Sequence, residues 1–137
     1  MKLIRLSLIL LALLPGLVFA QRVAPLENPD PLPVPASLNA SEAKKVVVDA
    51  LFQRGWTIAE EKGNDLVADL HVRTHWLQVD LSITGEQIAL SYRDSDNLNY
   101  GERRGTPVIH RSFRRWSDTL LSDIRTNMDR LEYSKRQ

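Results

Sequence analysis

Residues 65–83 read DLVADLHVRTHWLQVDLSI. Leu66, Ala68, Leu70 and Val72 alternate with Val67, Asp69 and His71; Leu77, Val79, Leu81 and Ile83 alternate with Gln78, Asp80 and Ser82. A period of two marks strands with one buried face. The apolar positions are even in the first half and odd in the second, so one uninterrupted strand would turn half of them to water. Such a strand would also run roughly 65 Å at 3.3 Å per residue, too long for a chain of this size. The stretch therefore reads as a hairpin turning near Thr74–His75, with His71 opposite Gln78 and Leu70 opposite Val79.

Working outward, Gly85–Glu86 places glycine first in a two-residue turn, the preference of type II′. It pairs Ile83 with Ile88, Leu81 with Leu90 and Val79 with Tyr92, so the next strand runs from about Gln87 to Asp94. Upstream, Trp56 and Ile58 alternate with polar residues, and Lys62-Gly63-Asn64-Asp65 is a turn. Before them, Asn39 and Glu42 have capping-box spacing, Ala43, Val46, Val47, Ala50 and Leu51 recur at helical intervals, and Gly55 stops the helix. Residues 94–109 read as a long loop. From there Phe113, Trp116, Leu120, Ile124, Met128 and Leu131 form an apolar helical stripe. The expected fold is α+β: helix, four-stranded antiparallel meander, helix, with both helices on one sheet face in two layers.

The chain has 137 residues and reads as one domain over 41–133, with 134–137 as a tail. Residues 1–20, MKLIRLSLILLALLPGLVFA, have the basic start, short apolar run and small-residue end of a cleavable secretory signal. The run is short for a spanning helix, so no transmembrane segment is expected once the signal is removed. Five prolines between Pro25 and Pro35 make residues 21–40 an expected extended, semi-rigid spacer. Of 18 basic and 17 acidic residues, removal of Lys2 and Arg5 leaves 16 against 17, which gives no charge argument for nucleic-acid binding. The chain has no cysteine, which excludes disulfides, thiolate metal sites, a cysteine nucleophile and a lipid-modified cysteine at the cleavage point.

His71 and His75 stand about 13 Å apart along a strand, beyond what one ion can bridge, so no metal or other cofactor is expected there. Asp94-Ser95-Asp96-Asn97-Leu98-Asn99 begins like a calcium loop, but Leu98 and Asn99 fall where oxygen and glycine are needed, and Gly105 where glutamate is needed. A turn with side-chain-to-backbone hydrogen bonds fits it better. No G-x-S-x-G elbow or phosphate loop is present. The strongest local signal is basic: Arg103, Arg104, Arg111, Arg114 and Arg115 surround His110, with only Glu102 to offset them. Forked donors at a helix start suit a phosphate, a carboxylate or an acidic partner. Tyr100, Phe113 and Trp116 are expected in the core or at its edge, and Trp76 beside a turn.

The runs LHVRTH at 70–75, SDNLNY at 95–100 and IHRSFRRW at 109–116 together resemble a family of small exported bacterial proteins, many of them lipoproteins. The resemblance covers about residues 54–131, and Arg73, His75, Ser95, Asn97, Tyr100, His110 and Trp116 match its pattern. Two features depart from it: there is no lipobox cysteine, which implies a soluble periplasmic form, and Arg114 stands where an asparagine is expected. The family carries no assigned activity. If the meander brings the hairpin turn and the exit of its last strand to one end, Arg73, His75, Ser95, Asn97, Tyr100 and His110 gather there, either pinning the long loop or lining an anion pocket. The expected binding set is thus Arg73, His75, Ser95, Asn97, Tyr100, His110, Arg111 and Arg115. The expected function is an exported, non-catalytic, envelope-associated binding or structural module whose partner is an anionic envelope component or a protein. Two alternatives stand beside it: a small periplasmic hydrolase-like enzyme using His110 or His75, and a structural domain that dimerises through an edge strand.

Overall fold

The computed structural model describes residues 22–137; the signal sequence expected over 1–20 lies outside them. The elements are β1 (Val23–Pro25), β2 (Leu32–Pro33), α1 (Ala40–Gln53), β3 (Thr57–Lys62), β4 (Asp65–Val72), β5 (His75–Ile83), β6 (Gln87–Asp96), β7 (Gly101–Arg103), β8 (Thr106–His110) and α2 (Ser112–Lys135). They form two antiparallel sheets, a five-stranded one ordered β2-β6-β5-β4-β3 and a three-stranded one ordered β1-β8-β7. This corrects the expectation of a helix, a four-stranded meander and a helix.

Two stretches account for the difference. The proline-rich segment, expected to be a spacer, supplies β1 and β2 and buries Leu32, Val34 and Leu38. Its prolines are compatible with this because both strands lie at sheet edges, where a missing donor costs little. Pro33 pairs with Gln87, Val34 N donates to Glu86 O (2.9 Å), and Asn28 Oδ1 takes the Tyr92 amide (2.9 Å) further along β6. The stretch 94–109, expected to be a loop, instead extends β6 to Asp96 and adds the β7–β8 hairpin. That hairpin turns at Arg104 and Gly105, both with φ in the left-handed region (52° and 78°).

The hairpin at the centre of the fold has a different register from the expected one. Leu70 lies opposite Leu77 and His71 opposite Trp76, so Arg73 and Thr74 form the turn. Alternation cannot separate the two registers, because a slip of two residues keeps every apolar side chain on its face. Arg73 meets the turn's demand by adopting φ 57°, a region that non-glycine residues seldom enter. The β5–β6 pairing follows the expected register, with Ile83 opposite Ile88, Leu81 opposite Leu90 and Val79 opposite Tyr92. A bulge between Gln78 and Val79 then absorbs Arg93, returns Ser95 to the side of Leu77 and puts Asp94 and Asp96 on the other face.

The inner face of the five-stranded sheet carries Leu66, Ala68, Leu70, Leu77, Val79, Leu81, Ile83, Ile88 and Leu90, all buried. Both helices bury their stripes in the same core: Val46, Val47, Ala50 and Leu51 from α1, and Phe113, Leu120, Ile124 and Met128 from α2. Ile109 of β8 and Leu98 of the β6–β7 connection join it and tie the small sheet to the large one. The Asn39 side chain takes the Glu42 amide (2.8 Å) while the Glu42 carboxylate takes the Asn39 amide (3.2 Å), the reciprocal cap that the sequence spacing suggests. Glu42 also holds Lys135 at the end of α2 (2.9 Å). No helix among the described residues is long and apolar enough to cross a membrane.

Candidate functional site

The two sheets and the start of α2 meet at one junction, and the chain's polar motifs converge there. His75 opens β5 on the core side of the sheet, next to the buried Leu77. Its Nδ1 lies 2.6 Å from the carbonyl oxygen of Asn97. A carbonyl only accepts, so this nitrogen carries the proton and Nε2 holds the lone pair. The Asn97 side chain donates to Thr74 Oγ1 (2.8 Å), which joins the β4–β5 turn to the β6–β7 connection. Asn97 and Asn99 both take left-handed φ (57° and 54°), a conformation asparagine tolerates better than most residues. Between them Leu98 is buried, and its carbonyl accepts from the His110 amide (2.7 Å).

His110 closes β8, opposite Val23. Its ring centre is 6.1 Å from that of His75, and the Trp116 ring lies 6.3 Å from His75 on the helix side. The Ser112 amide donates to His110 Nδ1 (3.1 Å), so the neutral ring carries its proton on Nε2. The two histidines thus hold opposite tautomers, one with an accepting and the other with a donating Nε2. Burial, then the charges of His75, Arg115 and Arg22, hold the His110 pKa below the ordinary histidine value.

The remaining residues of the expected set divide into three groups. Arg115 reaches back along α2 and donates to Ser112 Oγ (3.1 Å), and the Arg111 amide donates to Arg22 O (3.0 Å). Both arginines therefore belong to the junction. Ser95 and Tyr100 meet through Tyr92: the Tyr92 hydroxyl lies 2.7 Å from Ser95 Oγ, and the Tyr92 and Tyr100 rings stack with centres 4.9 Å apart. Tyr92 also packs edge-on against Phe113 (5.8 Å), and burial raises its pKa. Tyr100, expected in the core or at its edge, is exposed and covers Tyr92 from the solvent side. Arg73 sits on the turn as its strained residue, and its side chain makes no hydrogen bond or ion pair within the described residues. Trp76 is half-buried on the opposite sheet face from His75.

The five-arginine cluster is not one patch. Arg103 and Arg104 lie at the tip of the β7–β8 hairpin, and β8 separates that tip from His110 by roughly 14 Å. Arg114 is held by Asp118 (3.0 Å). What gathers at the junction is Arg22, Arg111 and Arg115, none of them in an ion pair among the described residues. A cavity of about 170 Å³ opens beside His110, lined by Pro25, Glu27, Arg111, Phe113 and Arg114 among others. A second groove of about 300 Å³ lies on the other sheet face, where Arg93 pairs with Asp80 (2.8 Å) near Lys62 and Val67.

Sequence reading missed Arg22, Thr74, Tyr92 and Ser112. Arg22 falls in the segment expected to be a spacer, and the others act through contacts of 2 to 23 residues' separation that no local pattern marks. Among the described residues no group of three or more His, Cys, Asp or Glu side chains is placed to hold a metal ion. No family model, curated protein or solved structure matches the chain.

Proposed function

We propose that this protein is an exported, non-catalytic binding module that takes an anionic group of an envelope component at the junction of the two sheets. Export is read from residues 1–20. The observation that carries the binding reading is that Arg22 and Arg115 face His110 while Arg111 lines the cavity beside it, with no ion pair satisfying the three among the described residues. Like charges held together repel, and an anion with several oxygens relieves that repulsion while accepting from the forked guanidinium donors. Glu27 is the one carboxylate lining the cavity.

The expected partner is a phosphate- or carboxylate-bearing envelope component. The test is co-sedimentation of the mature protein with purified envelope fractions. Arg111→Gln with Arg115→Gln should reduce retention several-fold and flatten its salt dependence. Unchanged retention with an intact fold contradicts the proposal. A hydrolase reading draws support from His75, whose Nδ1 is anchored to a carbonyl so that Nε2 is free to act as a base. The neighbours the structure gives that ring are Asn97, His110 and Trp116, none of which carries a hydroxyl, thiol or carboxylate for it to activate. Edge pairing is least favoured: edge strand β3 carries Glu60, Glu61 and Lys62 and an irregularity between Ile58 and Glu60, features that discourage a second strand.

A further inference from the structure

We propose that His110 is a proton-operated cap on α2, which closes the anion site while the ring is neutral and opens it when the ring is protonated. This concerns the regulation of the site and rests on the anion-binding reading. The geometry comes from a single contact. The first turn of α2 has no other side-chain cap: Arg111 makes none, and the turn contains no acidic residue. The helix begins with backbone amides that lack internal partners, and His110 Nδ1 occupies the one belonging to Ser112 (3.1 Å).

An imidazole nitrogen accepts only while unprotonated. Once Nδ1 takes up a proton from solvent, it and the Ser112 N–H are two donors facing each other, and the contact is lost. The amide becomes available, and a positive charge appears beside it in the same event. The charged and titratable groups facing the ring are His75 from β5, Arg115 from α2 and Arg22 from the segment before β1. Arg111, Arg114 and Glu27 line the cavity beside it, and Arg114 is already held by Asp118. Three cations and one carboxylate are therefore left around a newly formed imidazolium, so an entering anion removes a repulsion as well as gaining donors. Burial and these same cations keep the ring neutral near pH 7, the closed state.

The probe is sulfate, which does not titrate between about pH 5 and pH 7.5, the range in which a histidine switch operates. Calorimetric titration of the mature protein should show sulfate binding at least about tenfold tighter at the acid end, with proton uptake on binding near neutrality, one charge having been added to the site. His110→Asn supplies a non-titrating acceptor for the Ser112 amide and should bind sulfate with little pH dependence. Nitrogen NMR of the wild-type protein should find neutral His110 protonated on Nε2, with the Ser112 amide resonance following the His110 titration. A Ser112 amide that ignores that titration, or a full pH response retained by His110→Asn, overturns the cap. Sulfate binding of equal strength at both pH values overturns the cap but leaves the anion site standing, whereas no binding at either pH removes both.

Discussion

Leu38→Ala tests whether the proline-rich segment belongs to the fold. Leu38 is 3% exposed, lies in the common core, donates its amide to Pro35 O (3.0 Å) and immediately precedes the Asn39 cap of α1. Truncation removes three carbons from a packed site. Transfer alone contributes roughly 2.4 kcal/mol at about 0.8 kcal/mol per carbon, and the unfilled cavity raises this toward 3 kcal/mol or more, the measured range for buried leucines being about 2.7–5. For a domain near this size, with an unfolding entropy of roughly 0.24 kcal/mol per degree, that is a fall of about 12 °C in Tm. Guanidinium unfolding followed by tryptophan fluorescence, with thermal melts by circular dichroism, measures both quantities. If residues 22–40 were a spacer, the change would stay within about 0.5 kcal/mol, as at other exposed sites. A loss below about 1 kcal/mol with an unaltered m-value refutes the reasoning.

Three further outcomes follow from the same contacts. Arg73→Gly should leave stability unchanged or raise it by up to about 1 kcal/mol, because glycine adopts φ 57° freely, whereas Arg73→Val should lower it by more than that; equal effects in urea titrations contradict the Arg73–Thr74 turn. Lys135 and the Asn39 amide hold the Glu42 carboxyl below its ordinary value of 4.5. Its contribution is thus present above that value and lost as pH falls through the lowered one, and Lys135→Met should return its NMR midpoint toward 4.5. His110 carries the opposite charge but the same sign of dependence. With its folded pKa depressed, the unfolded chain takes up the proton first, so stability is full above about 6.5 and declines as pH falls from there toward the lowered value. Melts of wild type and His110→Asn across that range should diverge only at the acid end.

Much of the main sheet is legible in the sequence because its alternation is strict and its turns are marked. Ile83, Leu81 and Val79 pair with β6 in the expected register, although Gly85 does not take the positive φ that a type II′ turn requires. At Arg73–Thr74 no residue announces the turn, and alternation is blind to a slip of two, so the register moves there. The second sheet and the edge strand β2 of the main one are invisible for a different reason. β1 is three residues long, β2 two and β7 three, too short for any periodicity. Proline makes β1 and β2 look unlike strands, although edge positions tolerate it.

The site is partly legible. His75, Asn97 and His110 meet, and Ser95 and Tyr100 lie one contact away through Tyr92. The arginine cluster is compact in sequence but divided in space, because a hairpin carries Arg103 and Arg104 away from α2. Arg22 enters only because β1 pairs with β8, a long-range pairing that composition cannot reveal.

The most direct test of the junction as an anion site is to add sulfate to the nitrogen-15-labelled mature protein near pH 5 and map the amide shifts. The account predicts saturable changes confined to Arg22, the Asn97–Asn99 connection, and His110 through Arg115. It also predicts their loss in Arg111→Gln with Arg115→Gln. Shifts spread evenly over the surface, or centred on the Arg103–Arg104 tip, contradict it.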